Sequence, residues 1–183
     1  MSTQTRQLTY EEYLKTPEIK ARYDIVDGVM TMAPAPTLEH QKILRQLFLM
    51  LHQFVSEQQL GEVLFAPVDV IIQREPLRTR QPDLLFVSNE RANILGDQVE
   101  GAPDLVVEIL SPSNTRSDLE AKLSDYVTLG VSECWLVSPE ARSVEILGLN
   151  EGSWVRFGIS GLGEQVRSQV LPELDLAVVQ LFE

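Results

Sequence analysis

Cysteine is almost absent from this sequence, which contains a single one at position 134. A lone cysteine cannot form a disulfide within the chain, which favours a reducing compartment such as the cytoplasm. No apolar run approaches the roughly 20 residues that a membrane-spanning helix needs. The N-terminal residues also lack the basic start and apolar run of a secretory signal peptide. We therefore expect a cytoplasmic protein without a membrane segment.

A basic excess is missing as well, because 15 Lys and Arg residues stand against 27 Asp and Glu residues, giving a net charge of -12. Proteins that bind nucleic acid gain much of their affinity from contacts between basic side chains and phosphates. Any basic surface must therefore be local. The candidates are Arg74, Arg78 and Arg80 before a proposed site, and Lys42 and Arg45 on a helix.

Several familiar active-site patterns are missing too. The sequence has neither a glycine-rich phosphate loop nor the turn that presents a catalytic serine. His40, His52 and Cys134 do not have the spacing of a zinc site. His52 falls among apolar helix positions, which favours a structural role, whereas His40 is open to a surface, core or site role.

What is present is the composition of a folded domain, with 44% hydrophobic and 23% charged residues. The length of 183 residues fits one domain, which we expect to span residues 1–183.

Hydrophobic periodicity and turn residues predict an alternation of helices and strands. The first part is predicted to contain a helix at 8–20 with Thr9 as N-cap, a hairpin at 23–30 around Asp27-Gly28, and a helix at 38–59 capped by Thr37. Strands are then predicted at 63–72, 83–87 and 104–110, with a polar, exposed loop at 88–103. The last part is predicted to contain a helix that follows 111–114 and ends at Leu129 before Gly130, strands at 133–137, 144–149 and 154–157, and a tail at 176–182 of either type. This order predicts an α/β fold with a mixed sheet flanked by helices.

Two carboxylates stand out because of their apolar surroundings. Asp83 opens a strand directly after Pro82, and Glu108 lies inside the apolar run 105–110. Burying a carboxylate costs several kcal/mol unless a cation or hydrogen-bond donors compensate its charge. A hard divalent cation would compensate both acids. The alternatives are that Asp83 caps a turn and that Glu108 forms a structural ion pair with an arginine.

Lys122, on the following helix, is the third candidate. Leu119, Leu123 and Tyr126 fall at helical spacing and should pack against the sheet as core residues, with Lys122 beside them. An ammonium group near the carboxylates could orient and polarise a water molecule. The alternative is an ion pair with Asp118, four residues earlier. Two acids, a metal and a lysine are the groups that phosphodiester hydrolysis needs.

Four segments, in this order, resemble the Uma2 family, formerly a domain of unknown function that is abundant in cyanobacteria. They are QPDLLFV at 81–87, APDLVVEILSPS at 102–113, KLSDY at 122–126 and GVSECWLV at 130–137. The VDG at 26–28 and the helix that bears His40 also match the family pattern. The family belongs to the restriction-endonuclease-like PD-(D/E)XK superfamily. The resemblance, which covers roughly residues 9–137, therefore implies that fold.

Carried over by position, the resemblance implies that Asp83 is the first metal-binding acid and that Glu108 is the acid of the E-X-K element. The lysine position of that element is Leu110 here, and Lys122 resembles a lysine that has migrated to the next helix. Glu39 is the candidate for the acid that the superfamily carries on its first helix.

Asp104 competes with Asp83, since it also follows a proline and lies four residues before Glu108 on the same strand face. We favour Asp83 because the family pattern implies that the two acids come from neighbouring strands.

The resemblance implies a nuclease-type fold and does not by itself show that the protein cuts DNA. Together with the buried Glu108, the Pro82-Asp83 pair and Lys122, it leads to the hypothesis of an endonuclease that hydrolyses DNA with Mg²⁺, or Mn²⁺, held by Asp83 and Glu108 and by the carbonyl of Ile109. The resemblance also implies a homodimer, because two copies would cut two strands, and a partner would cover the apolar tail. The alternative is a catalytically inactive nuclease-fold protein that acts as a binding or assembly module. The acidic charge and the displaced Lys122 favour that alternative.

Overall fold

The computed structural model describes residues 7–17, 19, 21–112 and 115–183. The helices in these ranges are α1 Tyr10–Tyr13, α2 Leu38–Glu57 and α3 Arg116–Leu129, and two 3₁₀ helices cover Asn89–Ile94 and Val178–Leu181. The strands are β1 Tyr23–Val26, β2 Val29–Met32, β3 Gly61–Phe65, β4 Val70–Arg74, β5 Leu77–Arg80, β6 Leu84–Ser88, β7 Leu105–Ile109, β8 Glu133–Ser138, β9 Ser143–Asn150 and β10 Ser153–Ser160. The predicted α/β class is confirmed.

The strands form one large and one small sheet. The large sheet has the order β10-β9-β8-β7-β6-β3, and the small sheet has the order β2-β1-β5-β4. Strands β7 and β8 pair in parallel, whereas the neighbouring pairs β6–β7 and β8–β9 are antiparallel. Helix α3 makes the crossover that two parallel strands require. The large sheet is therefore mixed, as the sequence predicts.

Helix α2 and the C-terminal tail cover one face of the large sheet. Leu47 and Leu51 of α2 are fully buried in a cluster that also contains Leu176, Val178 and Leu181 of the tail. Burying these side chains is favourable by roughly 1.5–3 kcal/mol each. The tail is thus covered by its own chain, so the expectation that a partner subunit would bury it is wrong.

Helix α3 and strand β4 cover the opposite face. Tyr126 of α3 packs in a cluster with Val70 of β4, Val106 of β7 and Leu136 of β8. The helix ends at Gly130, which adopts the left-handed conformation with φ 90° that favours glycine, as predicted. This packing turns one face of α3 toward strand β7.

The segment 63–72 is predicted as a single strand, and this prediction is wrong. Its first part belongs to β3 at the edge of the large sheet, and its last part belongs to β4 of the small sheet. Pro67 lies between them and has no backbone N–H to donate to a ladder. Strand β5, which the sequence analysis missed, pairs with β4 and β1.

Helix α1 is shorter than predicted. It begins after the predicted N-cap Thr9, whose side chain accepts a hydrogen bond from the Glu12 N–H, and it ends at Tyr13. Positions 18 and 20 of the predicted helix lie outside the described residues. Pro17 disfavours helical backbone at the residue before it, which limits how far a helix can run.

The loop at 88–103 is less exposed than predicted. It contains the 3₁₀ helix Asn89–Ile94, and Val99 is buried against Val70, with which it forms a β-bridge. Among the described helices, none combines the length and the apolar character that crossing a membrane requires.

Candidate metal centre

Asp83 and Glu108 meet at the end of two adjacent antiparallel strands. Leu84 of β6 pairs with Val107 of β7. Continuing this register by one residue sets Asp83 opposite Glu108, so that both side chains point to the same face. Like charges opposite each other destabilise a sheet unless other groups compensate them. The surroundings of each carboxylate therefore decide what the pair can do.

Asp83 receives donors from three other parts of the chain. Arg22, directly before β1, places its Nη1 2.5 Å from Oδ1 of Asp83. His40, in the first turn of α2, places its Nε2 3.2 Å from the same oxygen. The backbone N–H of Ile109 donates to Oδ2 at 2.7 Å. Both oxygens of this buried carboxylate therefore have partners.

These partners determine the charge of Asp83. Burial by itself raises the pKa of the carboxyl, but the hydrogen bond with His40, the charges of Arg22 and His40 and the hydrogen bond from the Ile109 N–H together lower it by more. The net pKa lies below the ordinary value, so Asp83 is a carboxylate at neutral pH. Its side chain thus offers negatively charged oxygen atoms to the cavity.

Glu108 is held by two side chains of α3. Lys122 Nζ donates to Oε2 at 2.9 Å, and the Tyr126 hydroxyl donates to Oε1 at 2.5 Å. The two donors lie four residues apart and so share one helix face. Asp118, the alternative partner of Lys122, instead accepts a hydrogen bond from Thr115 in the capping box of α3.

Burial has the largest effect on Glu108 and raises its pKa. The charge of Lys122 opposes this rise, whereas the nearby charge of Asp83 adds to it, and the net pKa is raised. Burial lowers the pKa of Lys122, but the charges of Glu108, Asp24 and Asp83 and the hydrogen bond to Glu108 together outweigh burial, and the net pKa is raised. Two neighbouring carboxyls whose pKa values are pushed in opposite directions are typical of functional sites.

A cavity of about 90 Å³ lies between these groups. This volume is enough for a few water molecules, and the polar walls can hold them by hydrogen bonds. The walls include Arg22, His40, Asp83, Glu108, Ile109, Ser111, Lys122 and residues 33–37.

The donor set suits a hard divalent cation that keeps part of its hydration shell. Mg²⁺ is usually bound through one or two carboxylates, with water at its remaining positions. Asp83 and Glu108 supply two carboxylates, and the cavity between them has room for water. Within the described part of the chain, no group of three or more His, Cys, Asp or Glu side chains is arranged to hold a metal ion. The residues therefore fit a partly hydrated cation.

A network of ion pairs fastens α3 to the small sheet. Asp125 pairs with Arg78 through Oδ1 at 2.8 Å and with Arg80 through Oδ2 at 2.6 Å. Arg80 also pairs with Asp24 of β1 at 3.0 Å. Because Asp125 is the neighbour of Tyr126 in sequence, this network helps to fix the helix face that contacts Glu108.

The same network corrects the expectation of a basic patch at Arg74, Arg78 and Arg80. Carboxylates neutralise Arg78 and Arg80, and Arg74 pairs with Glu100. Arg78 and Arg80 therefore link the small sheet to α3, Arg74 forms a surface ion pair, and Lys42 and Arg45 are exposed on α2.

The remaining acidic, histidine and cysteine candidates from the sequence lie outside the cavity. Asp104, at the opposite end of β7, accepts from the Ser88 N–H and pairs with Arg91 at 3.3 Å. Glu39 is exposed and does not line the cavity, although its neighbour His40 does. His52 is exposed and stacks on Phe48, and Cys134 is a buried free thiol.

Arg22 and Tyr126 contact the predicted acids but were not predicted to do so. The spacing of Tyr126 four residues after Lys122 is a signal that could have found it, because the two share a helix face. Arg22 is 61 residues from Asp83 in sequence, and no local pattern links them.

This arrangement is the one expected of a restriction-endonuclease-like protein. It combines a mixed sheet, two acids on adjacent strands and a lysine on a helix packed against the sheet. The chain belongs to the Uma2 family, because the family model, described as "Putative restriction endonuclease", matches residues 10–179. The predicted family is thereby confirmed.

The fold is also similar to a solved structure from Anabaena variabilis, described as a "putative nuclease belonging to DUF820". The TM-score is 0.78 and the identity 20%, over 96% of this chain and 97% of that chain. At this identity the likeness shows the fold alone. Among curated proteins, none matches the chain.

Proposed function

We propose that the protein is a metal-dependent endonuclease that hydrolyses phosphodiester bonds in DNA. One observation carries this proposal: Asp83 and Glu108, at the end of adjacent strands, line one cavity together with a lysine bonded to Glu108. Membership of the family described as "Putative restriction endonuclease" supports it. Proteins of the restriction-endonuclease-like class generally use divalent metal ions.

In this proposal Asp83, Glu108 and the carbonyl of Ile109 are the ligands of Mg²⁺, for which Mn²⁺ can substitute. When bound, the metal lowers the pKa of water and stabilises the charge that develops on the phosphate. Lys122 orients the attacking water, since its ammonium group lies 2.9 Å from Glu108. Tyr126 fixes the other oxygen of Glu108 and thereby the direction of its carboxylate.

The test is cleavage of plasmid DNA in the presence of Mg²⁺ or Mn²⁺. We expect Asp83→Asn, Glu108→Gln and Lys122→Met each to lower the rate by about 100-fold or more, the size typical of losing a positioned catalytic group. Asp104→Asn is the matched control, because Asp104 also follows a proline but lies outside the cavity. Equal rates for the wild type, Asp83→Asn and Glu108→Gln would rule out the proposed site.

The second candidate function is a nuclease-fold protein that binds or assembles without cutting. The net charge of -12 and the internal pairing of Arg78 and Arg80 favour it. DNA binding as a function of salt separates the candidates, because phosphate contacts are strongest at low ionic strength. An endonuclease should bind DNA at about 50 mM salt. Absence of binding there would favour the non-catalytic function.

A homodimer belongs to the endonuclease proposal, because two copies of the site would serve the two strands of a duplex. Sedimentation of the full chain at micromolar concentration tests this directly. Sedimentation as a dimer is the expected result, and sedimentation as a monomer alone would contradict it.

A further inference from the structure

We propose that Arg22 is a built-in counter-cation of Asp83 that competes with the divalent metal ion for the same carboxylate oxygen. The inference rests on the proposed function and deepens it, because it names a residue of this chain that sets how tightly the metal binds.

Arg22 lines the cavity and contacts Asp83 directly. Its Nη1 is 2.5 Å from Oδ1 of Asp83, and its Nη2 donates to the carbonyl of Gln81 at 2.7 Å. The Asp83 side chain is 3% exposed, whereas that of Arg22 is 22% exposed. The guanidinium therefore separates the carboxylate from solvent on this side.

Among the described partners of Asp83, Arg22 is the one most easily displaced. The N–H of Ile109 belongs to strand β7, and His40 is buried on helix α2. Arg22, by contrast, has a long side chain outside any strand or helix, and its Nε is buried without a hydrogen-bond partner. Moving the guanidinium outward would break two hydrogen bonds and would expose Nε to water.

At Glu108, the cationic partner is less easily displaced than Arg22 is at Asp83. This partner, Lys122, extends from α3 with a side chain that is 14% exposed, against 22% for Arg22, and the Tyr126 hydroxyl donates to the other oxygen of Glu108. A cation that enters between the two acids therefore meets Arg22 as its main electrostatic competitor. Arg22 stabilises the metal-free protein by compensating a buried charge, and by the same contact it weakens metal binding.

The experiment is calorimetric titration of Mn²⁺ into the wild type, Arg22→Met and Arg22→Lys. Arg22→Met keeps the apolar stem but removes the charge, so we expect at least about tenfold tighter Mn²⁺ binding, equivalent to about 1.4 kcal/mol. Arg22→Lys keeps the charge but cannot bridge Asp83 and Gln81, so its affinity should lie between the other two. Thermal melting should show a lower Tm for Arg22→Met in EDTA and a larger rise with Mn²⁺.

Arg91→Met is the matched control, because Arg91 pairs with Asp104, the other aspartate that follows a proline. Its Mn²⁺ affinity should equal that of the wild type. If Arg22→Met folds only with metal present, Arg22→Lys decides the question, since it should still bind Mn²⁺ more tightly than the wild type.

Two negative outcomes can be told apart. If the wild type binds Mn²⁺ through Asp83 but Arg22→Met binds no more tightly, the competition is disproved and the endonuclease proposal stands. If neither the wild type nor Arg22→Met binds Mn²⁺, both the proposed metal site and the role of Arg22 are wrong.

Discussion

Glu108 shows what a carboxylate in an apolar strand needs from its neighbours. Its two oxygens accept hydrogen bonds from Lys122 and Tyr126, both on α3. The charge of Lys122 does not fully offset burial, because the net pKa of Glu108 is raised. The Tyr126 hydroxyl is therefore an important part of the compensation, as well as a means of orienting the carboxylate.

Tyr126→Phe tests this role at the residue scale. The change leaves one oxygen of a buried carboxylate without a donor, which should lower the free energy of unfolding by about 1–3 kcal/mol. Urea denaturation at neutral pH measures the loss. Tyr10→Phe is the control, because the Tyr10 hydroxyl donates to the exposed Glu100 and its removal should cost less than about 1 kcal/mol.

If Tyr126→Phe and Tyr10→Phe lower the free energy of unfolding equally, the hydroxyl of Tyr126 does not compensate the buried charge of Glu108. The apolar packing of the ring would then explain why Tyr126 is buried.

Among the elements, α3 is held by ion pairs as well as by apolar packing. Tyr126 is its one fully buried apolar residue, and Leu119 and Leu123 are only partly buried. Asp125, also buried, connects the helix to Arg78 and Arg80 of β5. The position of Lys122 is therefore fixed through the small sheet as well as through the large one.

Asp125→Asn tests this connection at the scale of the element. The change leaves the buried Arg80 with Asp24 as its remaining anionic partner, and breaking a buried ion pair costs about 3–5 kcal/mol. Urea denaturation measures the loss, and faster amide hydrogen exchange in α3 should accompany it. Glu120→Gln, which removes an exposed pair with Arg116, should change stability by about 0.5 kcal/mol at most.

If Asp125→Asn and Glu120→Gln are equally stable, the ion pairs of Asp125 do not stabilise the position of α3. Apolar contacts would then be sufficient to pack the helix against the sheets.

Elements with strong local signals could be predicted from the sequence, and those set by distant contacts could not. The Asp-Gly turn, the caps at Thr37 and Gly130 and the apolar run of β7 each act within a few residues. The sequence does not predict strand β5, because its charged residues Arg78 and Arg80 are half-buried and buried against partners from other elements.

Glu133 is a further case that the sequence does not reveal. It is fully buried, and it accepts hydrogen bonds from Trp135 Nε1 and from the hydroxyl of Ser168, 35 residues away. A second buried glutamate in the sheet is thus satisfied by neutral donors. An apolar setting alone therefore did not distinguish Glu108 from Glu133. The difference is that Glu108 lies beside another acid, a lysine and a cavity.

Over the whole molecule the chain is strongly acidic, whereas the charges that meet at the site balance. Asp83 and Glu108 face Arg22 and Lys122, although the chain carries a net charge of -12. The acids and Lys122 could be predicted because each lies in a short, distinctive segment. The sequence leaves a surface, core or site role open for His40 and has no local signal for Arg22, since only the packing of β1 and α2 around β6 brings them to Asp83.

The central claim is that Asp83 and Glu108 bind one divalent cation between them. Anomalous diffraction from crystals soaked in Mn²⁺ tests it most directly. We predict a peak within about 2.0–2.3 Å of a carboxylate oxygen from each residue, with Arg22 moved away from Oδ1 of Asp83. A crystal at saturating Mn²⁺ with no peak between these two side chains, and with Arg22 still bonded to Asp83, would contradict the claim.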